Sequence, residues 1–215
     1  MIMKCKFLFF LGMLLFCASG VFAQLGIKAG VNIANEINSY SQSEIKAGFN
    51  STNLTGYQIG LVYQVMPKIT GVGIEAGVLL SQKGSTFSDS TNIANGTKQG
   101  YRELNYLEIP IHIRYHLLLG AIAIYGIGGL YGAYKLSGKT VDENSNTSQN
   151  ETFKDFASHV DYGFNIGAGV ELFKKIQFGT TLSQGLKNTS TITAGLPTPL
   201  SSKNRVYSVN LVYLF

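Results

Sequence analysis

Along most of the chain, large apolar residues stand at every second position, with polar or small residues between them. Leu25, Ile27, Ala29, Val31 and Ile33 alternate with Gly26, Lys28, Gly30 and Asn32. Tyr57, Ile59, Leu61, Tyr63 and Val65 alternate with Gln58, Gly60, Val62 and Gln64. The same period sets Val72, Ile74, Ala76, Val78 and Leu80 against Gly73, Glu75, Gly77, Leu79 and Ser81. It sets Leu107, Ile109, Ile111, Ile113 and Tyr115 against Tyr106, Glu108, Pro110, His112 and Arg114. It returns with Phe164, Ile166, Ala168, Val170 and Leu172 against Asn165, Gly167, Gly169 and Glu171. A period of two marks a strand with one apolar face. Each run is about ten residues, the length a tilted strand needs to cross a bilayer. Two more strands are expected near 121–135, where glycines and apolar residues leave the faces unassigned, and near 176–186. In the closing stretch, 205–215, Tyr207, Val209, Leu211, Tyr213 and Phe215 share one face.

The predicted fold is all-β: an eight-stranded antiparallel up-and-down transmembrane β-barrel. Eight is even, as single-chain bacterial barrels require. A last strand ending on an aromatic resembles the signal that outer-membrane barrels present to their insertion machinery, so those five residues are assigned that role. Connections alternate in length, short at 67–70, 118–120 and 173–175 and long near 35–53, 83–103, 136–158 and 187–204. Short periplasmic turns and long extracellular loops are the outer-membrane arrangement, with both termini periplasmic. The segment 141–151 is almost wholly polar and reads as a mobile loop. A soluble lipocalin-like barrel with the apolar face inward fits the same alternation. Lipid outside is favoured by girdle candidates Tyr57, Tyr63, Tyr115, Tyr207, Tyr213 and Phe215, and by glycine on the opposite face, which suits a crowded small lumen.

The amino terminus has the layout of a secretory signal: Lys4 and Lys6, then an apolar run from Phe7 to Ala18, then Val21-Phe22-Ala23 before Gln24. The run is too short to span a membrane, which takes about 20 residues. Cleavage after Ala23 divides the chain into a signal peptide, 1–23, and a barrel domain, 24–215. Lipidation through Cys17 is the alternative, and Phe16 is a poor fit for the residue before a lipidated cysteine. Cleavage removes both cysteines, Cys5 and Cys17, leaving no disulfide, thiolate nucleophile or cysteine metal site. It also lowers the formal charge from +5 to +3, too small and diffuse to indicate nucleic acid.

Three stretches carry a family resemblance: Glu75-Ala76-Gly77-Val78-Leu79-Leu80-Ser81-Gln82-Lys83-Gly84, Tyr106-Leu107-Glu108-Ile109-Pro110-Ile111, and Asp161-Tyr162-Gly163 with Gly167-Ala168-Gly169-Val170-Glu171. Together they resemble the PorT-like outer-membrane β-barrel domains common in Bacteroidetes, over essentially the whole mature chain. One departure is Ile74, where the family often has proline. Most such domains have no assigned activity. The founding type serves a gliding-associated secretion pathway, a role these barrel motifs do not by themselves carry over.

Charged residues on the lumen side are the candidates for anything beyond architecture. Glu75 and Arg114 lie near the same end of adjacent strands and can pair across them. Lys28 and Glu171 fall at a similar height. The expectation is a Lys28/Glu75/Arg114/Glu171 network filling the lower lumen, with Glu108 and His112 above it. Such a network is either structural packing, since eight strands leave an interior just wide enough for side chains, or a gate over a narrow pore. His112 and His116 share a strand face about 13 Å apart, and no histidine has a second ligand at metal spacing, so no metal or cofactor is expected. His159 with Ser158 or Asp161 is the arrangement a lipid-modifying enzyme would need, but its loop-to-strand setting reads as solvated surface. Gly126/Gly128 and Gly167/Gly169 precede no helix and are not dinucleotide fingerprints. The expected role is non-enzymatic, structural or interactive, with a narrow channel as the alternative and a lipid-modifying enzyme third. Expected partners are outer-membrane lipid, the insertion machinery during assembly and an envelope protein.

Overall fold

The computed structural model describes residues 21–39, 49–67, 71–89, 98–142, 147–150, 159–188 and 201–215. They form β1 (Val21–Ser39), β2 (Phe49–Pro67), β3 (Val72–Asp89), β4 (Lys98–Leu119), β5 (Ile122–Asp142), β6 (Thr147–Asn150), β7 (Val160–Leu172), β8 (Ile176–Gly185) and β9 (Ser201–Leu214). Eight of these close a ring in the order β1, β2, β3, β4, β5, β7, β8, β9, every neighbour antiparallel and β9 pairing back on β1. The short β6 stands outside the ring, paired with β5 through Thr147–Asn150. The predicted sixth, seventh and eighth strands are therefore β7, β8 and β9. Most of the predicted leader lies outside the described residues.

Following hydrogen-bonded partners once around the ring from Gln24 passes Gln64, Glu75, His112, Gly129, Asn165, Ser183 and Val206. The path returns to β1 at Ala34, ten residues further on. With strands about 4.8 Å apart and about 3.3 Å of rise per residue, that stagger tilts them by about 40°. The outward residues then form a belt about 25 Å tall. Tyr63, Tyr115, Tyr213 and Phe215 mark its lower edge, and Tyr57, Tyr162 and Tyr207 its upper edge. Ile113 is 67% exposed while its neighbour Arg114 is 2% exposed. An apolar exterior around a charged interior is stable only in lipid, which removes the lipocalin alternative. Among the described residues no helix is long and apolar enough to cross a membrane; the crossing is made by strands.

The faces of β5, unassigned from sequence, are now clear. Tyr125, Ile127, Tyr131, Ala133 and Lys135 point inward, and Ile122, Ile124, Leu130, Tyr134 and Leu136 point outward. The inward aromatics hide the alternation, and they are there to cover cations. The Arg114 Cζ lies 3.9 Å from the Tyr125 ring centre, and the Lys83 Nζ 4.3 Å from that of Tyr131.

The long connections are shorter than predicted because the strands continue into them. β3 and β4 stay paired as far as Asp89 and Lys98, inside the expected 83–103 loop. The polar 141–151 segment contains β6 rather than a wholly irregular loop. Above the belt the outer face of a strand meets water instead of lipid, and the inner face carries mostly polar side chains, so ladder hydrogen bonds persist without the apolar period that would reveal them.

Glycines on β5 and β7 serve opposite purposes. At Gly169 a Cβ would meet Tyr125 Cζ and its hydroxyl at 2.5 Å, whereas at Gly128 nothing lies within 4 Å. Gly169→Val is therefore expected to destabilise the barrel by about 1–3 kcal/mol through overpacking. Gly128→Val, facing lipid, should change stability by less than about 0.5 kcal/mol. Urea unfolding of the refolded protein in lipid vesicles checks both.

Candidate functional site: the polar lumen

Ten charged side chains of the described residues are buried: Lys28, Lys83, Arg102, Arg114 and Lys135 against Glu36, Glu75, Glu108, Asp161 and Glu171. The signs balance, five to five. A lumen so composed carries little net field to select ions, and each charge has an opposite charge available in a low-dielectric setting.

The lower tier forms around Glu75 and Arg114. Register places Glu75 opposite His112 and Gly73 opposite Arg114, so Arg114 reaches Glu75 on the diagonal. Arg114 Nη2 stands 2.9 Å from Glu75 Oε2, and its Nε donates to the same oxygen at 3.2 Å. His112 Nδ1 lies 3.2 Å from Glu75 Oε1, and its Nε2 lies 2.9 Å from Asn165 Nδ2. That pair of contacts fits the neutral tautomer with the proton on Nδ1, donating to Glu75 and accepting from Asn165. Gln64 and Gln177, from β2 and β8, exchange two hydrogen bonds of 3.0 Å across the lumen. Gln64 also donates to Glu75 at 2.8 Å, Gln177 donates to Glu171 at 2.7 Å, and Arg114 Nη2 donates to Gln177 at 2.9 Å. His116 Nε2 accepts from Arg114 Nη1 at 3.0 Å and lies 3.6 Å from Glu171. Five ring strands, β2, β3, β4, β7 and β8, thus contribute to one cross-lumen plug.

Above it the wall is lined by Lys28, Gln58, Leu79, Glu108, Pro110, His112, Asn165, Thr181, Ser183 and Ser208. They leave a cavity of about 10 Å³, no more than one water needs. Gln58 is bonded to Asn210, which donates to Thr181 at 3.1 Å, and Ser208 donates to Asn32 at 2.9 Å. The upper tier holds Lys83, 2.6 Å from Glu108, with Asn204 donating to Asp161 at 2.9 Å and Tyr131 donating to Asp161 at 3.3 Å. Leu104, Tyr106, Tyr131 and Ala133 pack around it. Nearer the mouth, Arg102 pairs with Glu36 at 2.5 Å.

Of the predicted network, Glu75 and Arg114 meet directly, and Glu171 joins them through Gln177. Lys28 does not join by contact. It is buried and within Coulombic reach of Glu75 and Glu108, but makes no hydrogen bond or ion pair among the described residues. His112 stands on the rung of Glu75 rather than above it, and Glu108 belongs to the upper tier through Lys83. Gln64 and Gln177 were missed because neutral amides do not stand out as charges do, although Gln64 sits at a lumen-side position of its alternation. Lys83, Arg102 and Glu36 fell in segments read as loops. The His159 Nδ1 lies 2.8 Å from the Lys135 carbonyl and its ring stacks on Tyr134 at 4.9 Å. Asp161 accepts from Tyr131 and Asn204 at its Oδ2, and Ser158 lies outside the described residues. Among the described residues no group of three or more His, Cys, Asp or Glu could hold a metal ion.

A closed antiparallel ring with an apolar belt, aromatic edges and a charged interior defines an integral outer-membrane β-barrel. The chain belongs to the outer membrane protein beta-barrel domain family, whose model matches residues 21–191. Among solved structures it is similar to Ail, the attachment invasion locus protein of Yersinia pestis, at 12% identity and a TM-score of 0.44, covering 90% of this chain and 99% of that one. It is similar to the outer membrane protein OprG from Pseudomonas aeruginosa at 14% identity and a TM-score of 0.47, covering 90% and 96%. It is also similar to the outer membrane enzyme PagL at 13% identity and a TM-score of 0.41, covering 85% and 98%. No curated protein sequence matches the chain.

Breaking the lower plug one side at a time leaves a buried charge without its partner. Glu75→Ala and Arg114→Ala are each expected to cost about 3–5 kcal/mol, and the double substitution less than the two losses combined. Equilibrium unfolding of the four proteins in vesicles gives the coupling, and strictly additive losses would show that the pair is not a unit.

Proposed function

We propose that this protein is a non-enzymatic outer-membrane scaffold: a closed barrel that anchors an interaction surface for another envelope component. The observation that carries the reading is the contrast between a filled lumen and strands that outrun the bilayer on β1 to β5. The lumen is interlocked and charge-balanced from the lower plug to the Arg102–Glu36 pair. The strands nevertheless run to 22 residues, about twice what the bilayer requires. Structure built beyond the membrane, on a lumen that holds no passage, serves contact with something outside it. The finer kinship with PorT-like barrels belongs to this proposal, resting on the Tyr106–Ile111 run and its two companion motifs, and it favours a partner in an envelope or secretion assembly. The signal peptide at 1–23 is part of the same reading.

A narrow channel is the second reading, favoured by the polar lining and by the small cavity beside Lys28. The two separate on conductance. The scaffold reading expects wild-type protein in planar bilayers to stay at the leak level, and photo-crosslinking probes at Ser137 and Gln149, above the belt, to give a discrete adduct in cells that a probe at Ile111 does not. Steady unitary conductance that rises further with Arg114→Glu would replace the scaffold with the channel. Loss of lipid remodelling on His159→Ala would instead revive an enzyme.

A further inference from the structure

Beneath Tyr115, where the belt ends, the β4–β5 hairpin carries on. Its ladder continues to the Leu119–Ile122 pair, four residues below Tyr115 on β4. At a tilt of about 40° that is about 10 Å along the barrel axis. Here the alternation stops. Leu117, Leu118 and Leu119 are 50, 60 and 56% exposed, and Ile122 is 46% exposed. Leu118 lies on the strand face that carries Arg114 and His116 higher up, so the tip is apolar on both faces.

The neighbouring turn extends this surface. Lys175 donates its backbone N–H to the Leu172 carbonyl at 3.1 Å, and the two central residues, Phe173 and Lys174, have φ of 53° and 58°. That is the backbone of a type I′ turn, which favours asparagine and glycine; a phenylalanine in it is strained. The turn presents Phe173 outward, 73% exposed, with Lys174 and Lys175 exposed beside it. The two turns are joined, since Phe173 N donates to the Ala121 carbonyl at 2.9 Å. Leu117, Leu118, Leu119, Ile122 and Phe173 are therefore gathered at one corner of the rim, edged by two lysines.

We propose that this corner is a lipid wedge. The hairpin tip and Phe173 sit in the acyl–headgroup boundary of the inner leaflet, and Lys174 and Lys175 take the phosphates of anionic phospholipid. A flat protein surface can cover one face of a ribbon; a ribbon apolar on both faces fits a medium that surrounds it. The adjacent lysines match the charge of that medium at the depth where long cationic side chains reach headgroups.

The chain contains no tryptophan, so a single introduced one reports its own depth. Leu118→Trp and Phe173→Trp proteins would be refolded into phosphatidylcholine vesicles, with and without phosphatidylglycerol, carrying brominated acyl chains. Ile111→Trp serves as the belt reference and Ser137→Trp as the solvent reference. The wedge predicts quenching of both corner tryptophans to at least about half that of the Ile111→Trp protein, deepened by phosphatidylglycerol. It also predicts that adding Lys174→Glu and Lys175→Glu abolishes the phosphatidylglycerol dependence. Emission from Leu118→Trp as unquenched as that from Ser137→Trp overturns the proposal. So does a photo-crosslinker at position 118 that joins a protein, and not lipid, in the native membrane.

Discussion

Eight strands staggered by ten residues set the width of this barrel, and nearly everything inside it follows from that width. Strand spacing and rise give a wall radius of about 8 Å, which side chains can fill and little else can share. A lumen of this size in lipid cannot hold stray charge, because water is too scarce to solvate it. The interior answers the constraint with balance: five buried cations stand against five buried anions, and three of the cations, Lys83, Arg102 and Arg114, form direct ion pairs. Glycines at Gly169 and Gly179 then leave space for Tyr125, whose ring covers the Arg114 guanidinium. Closure, composition and charge balance are one property seen three ways.

Seen this way, the three stretches that suggested a family acquire a physical meaning. The first spans Glu75 to Lys83, the second holds Tyr106 and Glu108, and the third runs from Asp161 to Glu171. In the folded barrel Glu75 and Glu171 meet through Arg114 and Gln177 at the bottom. Lys83, Glu108, Asp161 and Tyr106 meet at the top. Each stretch thus supplies groups to both tiers or to the seam between them. The motifs mark positions where neighbouring strands bring opposite charges together.

Much of the fold was legible because lipid imposes a strict period on the outer face. Residues such as Ile109, Ile111 and Ile113 declared both the strand and its orientation. Legibility failed where that pressure is absent. On β5, Tyr125 and Tyr131 point inward because cations lie beneath them, and the period dissolves into a glycine-rich apolar run. Above the belt, Asp89 and Lys98 pair in a strand whose outer face no longer has to be apolar. In the lumen the Glu75–Arg114 contact could be reasoned from adjacent strands, since both residues sit near one end of a hairpin pair. The Gln64–Gln177 bridge could not, because it joins β2 to β8 across the interior and depends on the stagger of the whole ring. Lys28 shows the same limit: position along the strand matched Glu171, but the shear carried them apart.

A closed scaffold requires a lumen sealed by its own side chains. The most direct measurement is the reactivity of a single cysteine at mid-lumen. Ser208 is 4% exposed and bonded to Asn32, and the chain's own cysteines, Cys5 and Cys17, both lie in the predicted leader. Ser208→Cys protein in proteoliposomes would be treated with a small charged thiol reagent from either side, beside a Ser137→Cys control. A sealed lumen predicts that position 208 stays unmodified while position 137 reacts to completion. Modification at 208 at a rate comparable to 137 would mean that water and solutes reach the middle of the barrel, and the account of a closed scaffold would be wrong.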